Sequence, residues 1–177
     1  MPDSTPQPSR TSSIHATALV IGETGVLLRG ASGSGKSSLA LALIGLARLG
    51  GRFARLVGDD RVRLEALGGR VIARPHPAIE GFVERRGQGI VSVPHEAAAV
   101  VTCVVDLVAA DPARDIPPRA PRAVDRSVQL LGVTLPRLLI AAGTPPEEGA
   151  RRVDAFLPGL ADPGEAFCLR ISSQRTK

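Results

Sequence analysis

Residues Arg29–Ser38 read RGASGSGKSS, and Gly30 to Ser37 within them fit the pattern G-x-x-x-x-G-K-[ST]. The flanks suit it: Val26-Leu27-Leu28 reads as a strand, and the Ala/Leu-rich run Leu39–Leu49 reads as a helix closed by Gly50-Gly51. Strand, glycine loop and helix in that order make a phosphate cradle. Without Cβ atoms at Gly30, Gly33 and Gly35 the backbone can curl until successive N–H groups converge on one anion. The helix beginning near Lys36 adds the positive end of its dipole. Ser32, Ser34 and Ser38 complete the candidate nucleotide-binding stretch. Lys36 is one of two lysines in the chain, the other being Lys177, while every other basic side chain of that kind is arginine. A compact ammonium with three donors reaches between β- and γ-phosphate oxygens inside a closed loop, where a wide planar guanidinium does not fit. Ser37 offers a hydroxyl ligand for Mg²⁺.

Working outward, 177 residues at 44% hydrophobic suffice for one well-cored domain. With four Phe and no Trp or Tyr, that core is aliphatic, which suits helices packed on a buried sheet. The formal charge is +5, but the arginines are scattered and aromatic platforms for stacking bases are scarce, so nucleic acid is not the expected partner. An acidic protein or a polyphosphate fits the charge. Cys103 and Cys168 are too few and too far apart for a metal knuckle or a disulfide framework and read as buried thiols in a reducing compartment. The N-terminal MPDSTPQPSRTSS has no apolar stretch of the secretory kind, and no apolar run is long enough to span a bilayer. A cytoplasmic protein in contact with neither nucleic acid nor membrane is the expectation. The chain has no Asn and so cannot carry the N-K-x-D guanine-reading motif, which favours ATP.

Residues 1–13 read as a disordered arm, 14–160 as one P-loop domain and 161–177 as a frayed tail. Inside the domain, strands are expected around His15–Ile21, Gly25–Arg29 and Phe53–Val57, and a hairpin from Val62–Leu67 and Arg70–Ala73 about Gly68-Gly69. Glu80–Gly89 reads as charged loop, Val100–Val108 as a buried strand, and 111–122 as a Pro/Arg-rich loop. Weak strands are expected at 127–135, Leu138–Ala142 is ambiguous, and 145–157 opens with prolines as a helix does. So much hairpin around one strand–loop–helix unit predicts an α/β fold with a mixed sheet.

Asp59-Asp60 closes the first strand after the glycine loop. Carboxylates at such a strand end can hold Mg²⁺ or take the proton of an attacking hydroxyl, and adjacent acids titrate together, so the residues alone leave the division of roles open. At this point the chain resembles the catalytic domain of the HPr kinase/phosphorylase family, in a short single-domain bacterial form. The resemblance rests on His15 ahead of a strand–turn–strand, the loop GASGSGKSS, the strand end LVGDDRV and the stretch VERRGQGIVSV, together covering residues 14–93. It implies a hairpin-rich P-loop core like that of the HPr kinase C-terminal domain and phosphoenolpyruvate carboxykinase. It also implies an ATP- and Mg²⁺-dependent protein serine kinase acting on an HPr-like phosphocarrier, and a homo-oligomer.

By the same resemblance Asp59 is the general base, with His15 beside it, and Lys36 joins them at the reacting phosphate. Asp60 and Glu84 join Ser37 at the metal, and Arg86, Gly87 and Gly89 face the partner protein. Two departures matter. Ser38 stands where the family usually has Glu, and a late loop with a phosphate-handling arginine is contracted here to Leu135-Pro136-Arg137-Leu138. Kinase activity therefore transfers more safely than phosphorylase activity. The alternatives are a small-molecule kinase, whose arginine lid residues 111–126 could provide although they read as an unstructured loop, and a nucleotide sensor without transfer activity, which would need no base.

Overall fold

The computed structural model describes residues 11–85, 87–111, 117 and 125–157. The chain enters as strands β1 (Thr11–Ile14), β2 (Ala16–Ile21) and β3 (Thr24–Gly30), followed by helix α1 (Lys36–Leu49) and strand β4 (Ala54–Gly58). Strands β5 (Val62–Leu67) and β6 (Arg70–Pro75) form a hairpin, joined through a short turn of helix at Pro77–Ile79 to a second hairpin, β7 (Phe82–Arg85) and β8 (Gly89–Ser92). The long strand β9 (Ala99–Val108), the hairpin β10 (Ser127–Leu130) and β11 (Val133–Ala141), and helix α2 (Pro146–Phe156) complete it.

Nine of these strands make one sheet whose main path runs β1-β5-β6-β9-β3-β2-β4, with β11 also on β9 and β10 on β11. The pairs β3–β9 and β9–β11 are parallel and the other pairs of this sheet antiparallel. Ten residues long, β9 divides one edge between two partners: Ala99–Val101 bond β6, and Val104–Val108 bond β11. The mixed sheet follows from short turns that allow antiparallel neighbours, as at Gly68-Gly69, where both residues have the positive φ (57° and 74°) that a tight hairpin turn requires. The parallel pairs need longer crossovers, and α1 begins the one from β3 to β9.

Both faces of the sheet are covered, which is why β2 (ATALVI) and β3 (TGVLLRG) are apolar on both sides instead of alternating. One core holds Leu19, Val26 and Leu28 against Leu39, Leu43 and Ile44 of α1 and Ala150 and Val153 of α2. The other holds Ala18, Leu27 and Val104 against Val62, Leu64, Val71 and Leu135. Each fully buried Leu or Val among them contributes roughly 1.5–3 kcal/mol of burial, most of it offset by chain entropy.

Three expectations change. Residues 11–13, expected within a polar arm, are strand: Thr11–Ile14 pairs with β5 from Thr11↔Glu65 to Ile14↔Val62, because the exposed edge of β5 supplies backbone partners that a polar TSSI can take. Residues 80–89 are not simply loop, since β7 and β8 pair and Val83, with Val91 and Val93, packs onto the helix-side core. Leu138–Ala141 is strand, drawn into β11 by parallel pairing with β9. Most of 111–122 and all of 161–177 lie outside the described residues. Among the described residues no helix is long and apolar enough to cross a membrane.

Candidate active site

The glycine loop joins the end of β3 to the start of α1. Its backbone needs its glycines: Gly33 and Gly35 have φ of 75° and 101°, and a Cβ on Gly30 would lie 2.7 Å from both the Leu107 carbonyl and Ser34 Oγ. Ser34 Oγ is buried without a hydrogen-bond partner, a hydroxyl left for an anion to satisfy. The N-terminus of α1 has neither a side-chain cap nor an acid in its first turn, so its free N–H groups and positive dipole end remain available. Orphan hydroxyl, open helix end and left-handed glycines together fit a phosphate chain.

Lys36 is only 5% exposed. Its Nζ donates to the carbonyls of Gly30 (3.1 Å) and Ala31 (3.0 Å) and lies 2.9 Å from His15 Nε2. An ammonium has three donors and no acceptor, so Nε2 must accept, and the neutral imidazole then carries its proton on Nδ1. Nδ1 lies 2.9 Å from Asp60 Oδ1 and donates to it. A single chain of hydrogen bonds thus runs Lys36–His15–Asp60. Burial pulls the pKa of Lys36 below its ordinary 10.5, while the charges of Asp59 and Asp60 work the other way.

The two aspartates face opposite ways. Asp59, 3% exposed, accepts from Thr17 Oγ1 at 2.5 Å and Ser37 Oγ at 2.9 Å, both on Oδ1. Asp60 has φ 63° and a side chain 67% exposed. A non-glycine residue in the left-handed region is uncommon, and here it turns the carboxylate out of the strand line toward His15. The resemblance puts His15 beside Asp59; in the structure its ring bonds Asp60 instead.

The oxygen pair Ser37–Asp59 fits a magnesium ion, which takes one or two protein oxygens and completes its shell with water and phosphate. Glu84 stands exposed on β7, and among the described residues no group of three His, Cys, Asp or Glu side chains is arranged to hold a metal. Gly87 and Gly89 lie exposed at the β7–β8 turn, Arg86 is outside the described residues, and Ser32 and Ser38 are exposed around the loop. His76 and His95 serve locally, His76 Nδ1 accepting from the Ala78 N–H at 3.3 Å and His95 lying 3.3 Å from Glu80.

Sequence reasoning missed Thr17, hidden in an apolar run, and a second charged cluster at the loop's base. Asp106, on β9 beside Arg29 of β3, takes two bonds from Arg29 (Nε 2.7 Å, Nη2 2.8 Å) and one from Arg137 Nε at 2.6 Å. Burial alone would raise the pKa of Asp106. The two guanidinium groups outweigh that and hold it below the usual carboxylate value. Arg29 immediately precedes Gly30, so this cluster ties down the strand from which the loop springs. The signal available was the lone acid ending the apolar run 97–105.

The chain is similar to known proteins of one family. A family model described as the HPr Serine kinase C-terminal domain matches residues 7–140. The HPr kinase/phosphorylase of Mycoplasma mycoides subsp. mycoides SC is 40% identical over 85 residues, 48% of this chain and 25% of the relative. That of Mycoplasma pneumoniae is 41% identical over 80 residues, 45% of this chain and 24% of the relative. The chain thus spans about a quarter of the length of the curated relatives it matches. The structure of the Hpr(Ser) kinase/phosphatase from Coxiella burnetii superposes with a TM-score of 0.66 at 26% identity, covering 85% of this chain and 99% of that one.

Proposed function

The chain belongs to the HPr serine kinase C-terminal domain family, and from that premise we propose that it is an ATP-dependent serine kinase whose acceptor is an HPr-like phosphocarrier protein. The observation that carries this reading is the meeting of the P-loop lysine with two differently held aspartates: Lys36 reaches Asp60 through His15, and Asp59 bonds the P-loop hydroxyl of Ser37. A nucleotide sensor without transfer chemistry has no use for an exposed carboxylate oriented by a neutral imidazole.

The loop amides, Ser34 and Lys36 bind and orient the phosphates. Because all three Lys36 donors are occupied, a phosphate oxygen must displace at least one of them, and the carbonyls of Gly30 and Ala31 are the nearest to give way. Magnesium, when bound, neutralises charge on the β- and γ-phosphates, and Ser37 with Asp59 would hold it. Asp60 then accepts the proton of the incoming serine hydroxyl: it is the exposed acid of the pair, and His15 fixes its orientation. The division of labour is the reverse of the one the family resemblance implies. With Arg137 bound to Asp106 by its Nε, the forward kinase reaction is the one proposed here.

The experiment is phosphoserine detection by mass spectrometry on a purified HPr-like carrier with ATP and Mg²⁺. Lys36→Ala should lower turnover about 100- to 1000-fold. Asp60→Asn should lower kcat by a similar factor while Mg·ATP affinity holds, and Asp59→Asn should weaken Mg²⁺-dependent nucleotide binding. The opposite pattern in the two aspartate variants would return the base to Asp59. No phosphoserine from the wild-type protein would overturn the kinase reading.

A further inference from the structure

A third cluster of charge has no work in the account so far. On β5 and β6, Arg63 and Arg74 stand directly opposite each other, and Ser13 of β1 stands opposite Arg63, giving one row Ser13–Arg63–Arg74 across three strands. All three residues are exposed. Directly opposed like charges destabilise an antiparallel pair, so the row costs stability as it stands. Among the described residues neither guanidinium has an ion pair or a side-chain hydrogen bond, and Glu65, on the same face, bonds neither. Some arginines are neutralised within the chain, Arg29 and Arg137 by Asp106, Arg52 by Asp154 and Arg152 by Glu148. Among the described residues Arg70, Arg85 and Arg151 are unpaired too, but Arg63 and Arg74 are the two that stand directly opposite each other. The row lines a groove of about 390 Å³ with Ser12, Glu65 and Thr11.

Its position matters as much as its charge. β1 ends at Ile14, next to His15, and β5 begins two residues after Asp60. Extended backbone covers at most about 3.6 Å per residue, so Arg63 lies within about 11 Å of Asp60 and Ser13 within about 7 Å of His15. A polypeptide whose serine hydroxyl reaches Asp60 has its flanking residues within reach of this row.

We propose that the Ser13–Arg63–Arg74 face is the docking surface for an acidic segment of the acceptor protein, lying beside its target serine. The proposal rests on the kinase reading and names the chemistry of its protein substrate. Two guanidinium groups side by side with hydroxyls at the rim bind carboxylates in pairs. Their cross-strand repulsion is relieved only when an anion arrives, so docking and neutralisation happen together. At an exposed rim such charges act on encounter and on KM more than on the chemical step.

The test uses the full chain, with Arg63→Glu/Arg74→Glu as one double variant and Arg63→Lys/Arg74→Lys as its conservative partner. KM for the HPr-like carrier should rise roughly tenfold in the glutamate variant at low salt and stay near wild type in the lysine variant, with kcat and ATP affinity unchanged in both. The wild-type KM should rise with salt and the glutamate variant's much less. Phosphoserine formed by wild type and glutamate variant with the same KM and salt dependence would overturn the docking surface and leave the kinase reading intact. No phosphoserine from the wild type overturns both. A fall in KM on removing residues 1–10 would mean that this chain's own N-terminal segment fills the groove, which also overturns the proposal.

Discussion

The two arginine clusters on the sheet have the same chemistry and opposite settings. At the loop's base, Arg29 and Arg137 share Asp106, which is 6% exposed and bonded three times. On the outer strands, Arg63 and Arg74 share nothing and face water. In the first cluster both guanidinium groups are bonded to one buried carboxylate, and these bonds tie β3, β9 and β11 together. Removing the shared carboxylate there strands both guanidinium groups. In the second the charge is unmatched and its free energy is available to a ligand. The difference separates arginine that holds the fold from arginine that can bind.

The comparison breaks most readily at Asp106. Asp106→Ala leaves two guanidinium groups facing each other without their counterion and should cost about 3–5 kcal/mol in urea unfolding. That corresponds to a fall in Tm of roughly 10 °C for a domain of this size. A loss below 1 kcal/mol would put this cluster in the same class as the exposed row. The pH dependence sharpens the point. The Asp106 pKa is depressed in the folded state, so its stabilisation is complete above the unfolded value of about 3.9 and is lost as pH falls through the lower folded value. Acid titration of stability should therefore flatten below pH ~4 in Asp106→Asn relative to wild type. Next in size is Arg137→Ala. It removes one charge-assisted bond but leaves Asp106 its two from Arg29, and with Arg137 26% exposed the cost should be about 1–2 kcal/mol. A cost equal to that of Asp106→Ala would mean the three residues act as an inseparable unit.

What could be read from the sequence follows the same division between local and distant. The glycine loop, its lysine and the helix behind it are legible because curling a backbone around phosphate demands particular residue types at fixed spacing. The Gly68-Gly69 hairpin is legible for the same reason. Asp106 finds its partners 77 and 31 residues away, through two parallel pairings that no local pattern encodes. Thr17 looks like one more β-branched residue in ATALVI until β4 brings Asp59 beside it. The contact between His15 and Asp60 hangs on one backbone angle, the φ of 63° at Asp60, which two consecutive aspartates do not announce. TSSI has no apolar face of its own strong enough to mark a strand; only the edge of β5 makes it one.

The smallest effect is the most discriminating. If Arg63 and Arg74 serve only an incoming partner, Arg63→Ala/Arg74→Ala should leave the fold as stable as before or raise stability by up to about 0.5 kcal/mol, since a direct cross-strand repulsion is removed and no internal bond is lost. The gain should shrink as salt screens the repulsion at a Debye length of about 8 Å near physiological ionic strength. Thermal melts at low and high salt measure both quantities on the same sample. A loss of more than 1 kcal/mol in the alanine variant would show that the row supports the strands after all, and any KM change in the glutamate variant would then report damage to the site's edge rather than a missing contact. A neutral or slightly positive result leaves charge held against its own repulsion beside Asp60, which is the arrangement a binding surface needs and a folding surface does not.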